Sequence, residues 1–158
     1  MSSENDVIQV TIDLMEKKDL REILAIEKKS FVSPWSEGMF KDEINLKHSQ
    51  CLVARICQGE KSMIGGYIIF WIVADEAHLH NLAVKKEFRN QGLAHRFMDV
   101  MKEISRQVGL KTQTLEVRES NTEAIKLYRE CGFVVKGRRP LYYPDTHEDA
   151  LIMWADVK

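Results

Sequence analysis

The residues best suited to chemistry begin with the string Arg89-Asn90-Gln91-Gly92-Leu93-Ala94, placed between an apolar stretch and the most regular helical pattern in the chain. Such a junction can hold an anion. The first N–H groups of a helix lack intrahelical partners, and its aligned peptide dipoles place partial positive charge there. Gly92 offers no side chain to keep a phosphate from the backbone, Ala94 is the next smallest choice, and Arg89 can add a charge-assisted bond. Taken alone, the string is equally an ordinary strand-to-helix turn. Further on, the alternation over Thr112–Arg118 sets Leu115 and Val117 on one face and Thr114, Glu116 and Arg118 on the other. Glu116 is then a proton acceptor, an ion-pair partner of Arg118, or part of a solvated row. Tyr128 shares a helix face with Leu127 and Cys131, where it is either a proton donor, neutral near pH 7, or a half-buried core aromatic. His78 and His80 share a strand face with no third ligand nearby, so no metal site is expected. Gly59-Glu60-Lys61-Ser62 lacks the spacing of a nucleotide phosphate loop and reads as a hairpin turn.

The elements that must position these groups follow from periodicity. Residues 7–14 alternate as an opening strand. Leu20, Ile23, Leu24 and Glu27 have helical spacing, with Asp19 available as a cap. Pro34 ends that helix, and Ser36 caps a second one through Phe40 and Ile44. Residues 51–56 and 64–73 form a hairpin, and residues 77–84 the strand before the turn. Leu93, Phe97, Val100, Met101, Ile104 and Val108 mark a long amphipathic helix stopped by Gly109. Thr112–Arg118 is a strand, and a helix from about Asn121 ends at Gly132. Residues 133–137 and 151–157 are the last two strands, with Tyr142, Tyr143 and Pro144 in the loop joining them. The order β-α-α-β-β-β-α-β-α-β-β predicts an α/β fold, a mixed sheet of about seven strands with helices on both faces.

Composition bounds the function. The chain has 158 residues, fitting one domain over 1–158, with polar residues 1–6 as a frayed lead-in. Lys plus Arg (23) nearly balance Asp plus Glu (24), which argues against a nucleic-acid surface. No apolar run approaches the roughly 20 residues that cross a bilayer. Three cysteines, Cys51, Cys57 and Cys131, without a C-x-x-C pair, read as reduced thiols in the cytoplasm.

Residues 89–94 resemble the Q/R-x-x-G-x-G/A motif of the GNAT superfamily of N-acetyltransferases. Ala94 stands where many relatives carry Gly, a variation the motif permits. Other stretches resemble one branch, the bacterial ribosomal-protein-alanine N-acetyltransferases. These are Leu115-Glu116-Val117-Arg118 with Ser120-Asn121, Ala124-Ile125-Lys126-Leu127-Tyr128 with Gly132-Phe133, Tyr142-Tyr143-Pro144 with Glu148-Asp149-Ala150, and Phe31-Val32-Ser33-Pro34-Trp35-Ser36. Together they extend from Val10 to Trp154.

The resemblance implies acetyl-CoA as co-substrate, lying where strands 79–84 and 112–118 splay apart. The backbone of Leu82, Ala83 and Val84 would meet the pantetheine arm, and Asn90, Gln91, Gly92, Leu93, Ala94 and His95, aided by Arg89, the pyrophosphate. Asn121 matches the residue that bonds the arm from the other side. Glu116 matches the proton acceptor, acting through water, and Tyr128 the donor to the departing thiolate. A backbone N–H of strand 82–84 would polarise the thioester carbonyl. Tyr142 and Tyr143 are candidate substrate-binding residues, with Phe31 and Trp35 as the opposite wall; each could equally be a packed loop aromatic. Arg138 and Arg139 are expected as a solvated pair. The acceptor implied is a protein N-terminus, best the alanine of a small-subunit ribosomal protein. A lysine or small-amine acceptor, or a non-catalytic CoA-binding adaptor, would suit the same fold. Monomer and weak homodimer are both open.

Overall fold

Among the described residues, seven strands and four helices follow in the anticipated order. They are β1 (Ile8–Leu14), α1 (Leu20–Ser30), α2 (Glu37–Asn45), β2 (Ser49–Gln58), β3 (Lys61–Val73), β4 (Glu76–Val84), α3 (Leu93–Gln107), β5 (Thr112–Arg118), α4 (Thr122–Glu130), β6 (Val134–Tyr143) and β7 (Glu148–Asp156). The computed structural model describes residues 7–158, so the expected lead-in at 1–6 lies outside the described residues. The strands form one mixed sheet in the order β1-β2-β3-β4-β5-β7-β6. β1 and β2, β5 and β7, and β6 and β7 pair antiparallel, whereas β4 and β5 run parallel. The parallel register joins Glu76 to Thr112 and ends with Leu79 opposite Leu115, while both strands run on, to Val84 and Arg118. No helix among the described residues is long and apolar enough to cross a membrane.

The chain forms two compact units. The first comprises the residues up to Ile69 together with Asn81–Leu93. Its core gathers Ile23, Phe40, Val53, Tyr67 and Ile69, each fully buried, and the 3- and 4-residue spacing of Leu20, Ile23, Ile26 and Glu27 turns one stripe of α1 inward. Ser36 caps α2 as expected, its Oγ accepting from the Met39 N–H at 3.3 Å. Asp19 does not cap α1. Its own backbone is already helical, and its carboxylate accepts from the Glu16 N–H (2.9 Å) and, bidentately, from Arg55 Nη1 and Nη2 (2.8 and 2.9 Å).

The second unit comprises Phe70–His80 and Ala94–Lys158. Phe97, Met101, Leu115, Phe133 and Met153 are among its buried side chains. Two expectations fail here. Val108, assigned to the apolar stripe of α3, lies beyond the helix end and is exposed, because Gly109 at φ 77° turns the chain first. Ser105 takes an inward place instead, satisfying its hydroxyl on the Met101 carbonyl at 2.7 Å. Second, β6 and β7 are longer than their apolar cores suggested, and Tyr142 and Tyr143 belong to β6 rather than to a loop. Backbone pairing carries polar strand ends that an apolar pattern does not mark: Tyr143 still sits opposite Glu148.

Candidate active site

In the first unit, the turn before α3 has Asn90 at φ 62° and Gly92 at φ 81°. Left-handed residues alternating with ordinary ones turn successive N–H groups to one side, the geometry of an anion-holding nest. Nothing lies within 4 Å of a Cβ built on Gly92, so backbone conformation, and not crowding, calls for glycine here. The buried Leu93 anchors the helix start, while Asn90, Gln91 and Gly92 are exposed. Arg89 is tethered: Nε donates to the Val84 carbonyl at 3.0 Å, and Nη2 reaches Ser30 Oγ at 3.4 Å. Gln91 Nε2 donates to the Glu87 carbonyl at 3.1 Å. On β4, Ala83 is buried in the first core, and Leu82 and Val84 on the opposite face are half-buried.

The second unit holds the other candidates. Ala94 is half-buried at the first turn of α3, and exposed His95 pairs through Nε2 with Glu130 Oε2 at 2.7 Å. Asn121 is the N-cap of α4, its Oδ1 accepting from the Ala124 N–H at 3.2 Å, so the cap uses only the carbonyl side of its amide. Burial alternates along β5 as its pattern predicted, with Leu115 and Val117 inside and Glu116 on the half-buried face. Glu116 does not pair with Arg118. Its Oε2 lies 2.6 Å from His78 Nε2, and its Oε1 lies 4.0 Å from Arg139 Nη2. The His78 hydrogen bond holds the Glu116 carboxyl below its ordinary range, against the opposing effect of burial. Tyr128 is buried, its ring 6.1 Å from that of Phe133, and burial first, then the neighbouring Tyr143 and Cys131, push its hydroxyl well above the ordinary tyrosine value.

Arg118 instead organises the β6 aromatics. It forks onto Asp145 with two contacts of 2.8 Å, bonds Thr146 Oγ1 at 2.9 Å, and lays its guanidinium 4.1 Å from the centre of the Tyr143 ring. Tyr142 packs edge-on against Tyr143 at 5.0 Å and remains exposed. Burial raises the Tyr143 hydroxyl to about 12, with contributions from Tyr142 and Glu116, while Arg118 opposes. Tyr143 is thus within electrostatic reach of both Glu116 and Tyr128. Arg138 and Arg139 are not a merely solvated pair: Arg138 bonds Glu119 and Asp149 at 2.9 and 3.0 Å, and Arg139 faces Glu116 and the Tyr142 ring.

Of the first-unit aromatics, Phe31 stands at the border of exposure, while Trp35 packs on Phe40 with ring centres 5.3 Å apart. The buried Glu27 fixes this loop. Its Oε2 accepts from the Trp35 N–H at 3.0 Å, and its Oε1 from Tyr67 Oη and Asn81 Nδ2 at 2.7 and 2.8 Å. Sequence reasoning missed the hydrogen bonds that Glu27 and His78 make to the candidate residues. A Glu on the apolar stripe of α1 was the available signal for the first. His78 becomes visible only once the parallel register sets it opposite Thr114, two residues before Glu116 on the same face.

The first unit supplies an anion-holding turn before α3, and the second a half-buried carboxylate and a buried tyrosine. The chain belongs to the acetyltransferase (GNAT) family, whose model matches residues 20–133. Within that family it is similar to the ribosomal protein bS18-alanine N-acetyltransferase of Escherichia coli (strain K12), with 35% identity over 145 residues, 90% of this chain and 95% of that protein. The crystal structure of the ribosomal-protein-S18-alanine N-acetyltransferase from Escherichia coli superposes with a TM-score of 0.82 at 32% identity, covering 95% of each chain. That of Ard1 from Thermoplasma volcanium gives a TM-score of 0.85 at 27% identity, covering 94% of this chain and 98% of that one.

Proposed function

We propose that this chain transfers the acetyl group of acetyl-CoA to the α-amine of a protein, and that its acceptor is the N-terminal alanine of a small-subunit ribosomal protein in the cytoplasm. The observation that carries the acceptor is the one-third identity, spread over nearly the full length, with an enzyme named for alanine acetylation of bS18. The nest at Asn90–Gly92 suits the pyrophosphate, with Arg89, Leu93, Ala94 and His95 around it. The backbone of Leu82, Ala83 and Val84 suits the pantetheine arm, and Asn121 keeps an amide donor for it.

A protein α-amine has a pKa near about 8, so at neutral pH much of it is protonated and must lose a proton before attack. Glu116, held ionised by His78, accepts that proton through a water molecule. The amine lone pair then adds to the thioester carbonyl, the C–S bond breaks, and Tyr128 gives its hydroxyl proton to the thiolate. A tyrosine whose pKa is pushed up is wholly neutral at working pH and therefore always carries the proton it must give. Tyr142 and Tyr143 contact the incoming peptide, and Phe31 and Trp35 line its path.

A thiol-release assay with acetyl-CoA and peptides of varied first residue tests this reading. Turnover should be highest for peptides beginning with Ala. The reading is wrong if peptides beginning with Ala, Ser or Met all fail while a free small amine reacts. Glu116→Gln should lower kcat/KM by about 10²–10⁴-fold. Full activity in that variant would remove Glu116 from the proton path while leaving the acceptor claim intact.

A further inference from the structure

The contact between His78 and Glu116, at 2.6 Å, is shorter than the 2.8–2.9 Å bonds of Arg118 on the same face of β5. At 2.6 Å a hydrogen must lie between the two atoms, since two lone pairs would repel at that distance. An ionised carboxylate has only acceptors, so the hydrogen belongs to His78 Nε2. We propose that His78 is a positioning residue for the acetyl-transfer reaction, its Nε2–H fixing Glu116 through Oε2 so that Oε1 receives the proton of the acceptor amine. This rests on the reading of Glu116 as proton acceptor.

Three observations support it. The Glu116 side chain is 15% exposed, so burial works against its charge, and a charge-assisted donor at Oε2 offsets that cost. The His78 ring is itself held, its centre 4.4 Å from that of His80, which in turn lies 4.1 Å from Trp71. That row fixes the plane of the imidazole and thereby the direction of its N–H. The remaining charged groups facing Glu116 are less able to orient it. Arg139 on β6 is 4.0 Å away and 57% exposed, His80 on β4 is engaged in the ring stack, and Tyr143 on β6 is neutral at working pH. Arg118, on Glu116's own strand, is committed to Asp145. In the proton step the amine N–H bond breaks and an O–H bond forms on Oε1; the hydrogen on His78 stays in place.

The test compares His78→Phe with His78→Gln, whose side-chain amide reaches about as far as Nε2. With an alanine-initiated peptide, His78→Phe should lower kcat/KM by about 10- to 100-fold, the range expected for losing a hydrogen bond to a charged group. The acid limb of its pH profile should move to higher pH, because Glu116 loses the donor that favours its charged form. His78→Gln should recover the rate to within about threefold and return the limb. A merely structural histidine would lower the melting temperature without moving the limb. Nitrogen-15 NMR of the folded parent protein covers the case where His78→Phe fails to fold, because it reads the hydrogen on His78 Nε2 directly. Replacing Glu116 by Gln should move the proton signal of His78 Nε2–H upfield, because its acceptor loses the negative charge. An unmoved acid limb, or a His78 Nε2–H signal that is absent or indifferent to Glu116→Gln, overturns the inference. The NMR measurement needs no turnover, so it separates failure of this coupling from failure of the base assignment, which Glu116→Gln activity reports.

Discussion

Glu116 and Tyr128 lie in one unit and are driven toward opposite protonation states by different forces. A hydrogen-bond donor lowers the Glu116 pKa, whereas burial raises that of Tyr128. One group is thus ionised and the other neutral at the same pH, as the proposed acceptor and donor roles require. Tyr128→Phe removes the donor while preserving the buried ring beside Phe133. Steady-state kinetics should show kcat reduced by about 10²-fold with the KM for acetyl-CoA within about twofold. An unchanged kcat would assign Tyr128 to the core alone. The two side chains were legible in the sequence because alternation on β5 and spacing on α4 fix the faces they occupy. Their partners were not: His78 and Arg139 are 38 and 23 positions from Glu116, and only strand pairing brings them to it (116 − 78 and 139 − 116).

The elements differ in how plainly they announce themselves. Both the α3 turn and α4 were readable from glycine, an N-cap and apolar spacing, since each depends on local rules. The ends of β6 and β7 were not, because Arg138, Arg139 and Pro140 interrupt the apolar pattern of β6, Glu148 and Asp149 open β7, and this end is held by the Arg118–Asp145 fork and by Asp149, which accepts from the Leu141 N–H at 2.9 Å. Each element carries a prediction. At the α3 turn, Gly92→Ala must hold a β-carbon at φ 81°, at a cost of about 1–2 kcal/mol although space is open. Isothermal titration should find CoA bound about 5- to 30-fold more weakly if the turn shifts to relieve that strain. Unchanged affinity would show that the nest geometry is not what holds the cofactor. At the β6–β7 end, Asp145→Ala releases Arg118 from its fork and loosens the guanidinium over Tyr143. The KM for the peptide should rise several-fold while that for acetyl-CoA stays put. A parallel rise in both would deny this hairpin a role specific to the acceptor.

For the molecule as a whole, the two units divide the groups proposed to act. One carries the nest, the backbone of Leu82 to Val84 and the Trp35 loop, and the other carries Glu116, Tyr128 and the β6 aromatics. Each unit also holds a buried or half-buried carboxylate kept ionised by a cation or a histidine, and this has a consequence for stability against pH. Burial pushes the Asp19 pKa up, but the Arg55 fork and the Glu16 N–H outweigh it, and the net value falls below 3.8. A group whose pKa is lower folded than unfolded stabilises the native state above its unfolded pKa, and that contribution disappears as pH falls through the folded value. The Asp19–Arg55 pair is therefore fully stabilising at neutral pH and is lost below about pH 4. Asp19→Asn leaves Arg55, a largely buried cation at 20% side-chain exposure, with Asp13 and Glu16 as its remaining partners. Urea unfolding at pH 7 should show a loss of about 1–3 kcal/mol relative to the parent chain. Repeated toward pH 3, the gap should close, because protonation removes from the parent what the substitution has already removed from the variant. A gap of constant size across that range would mean that Asp19 acts through its shape and hydrogen bonds, and that its charge contributes nothing to the fold.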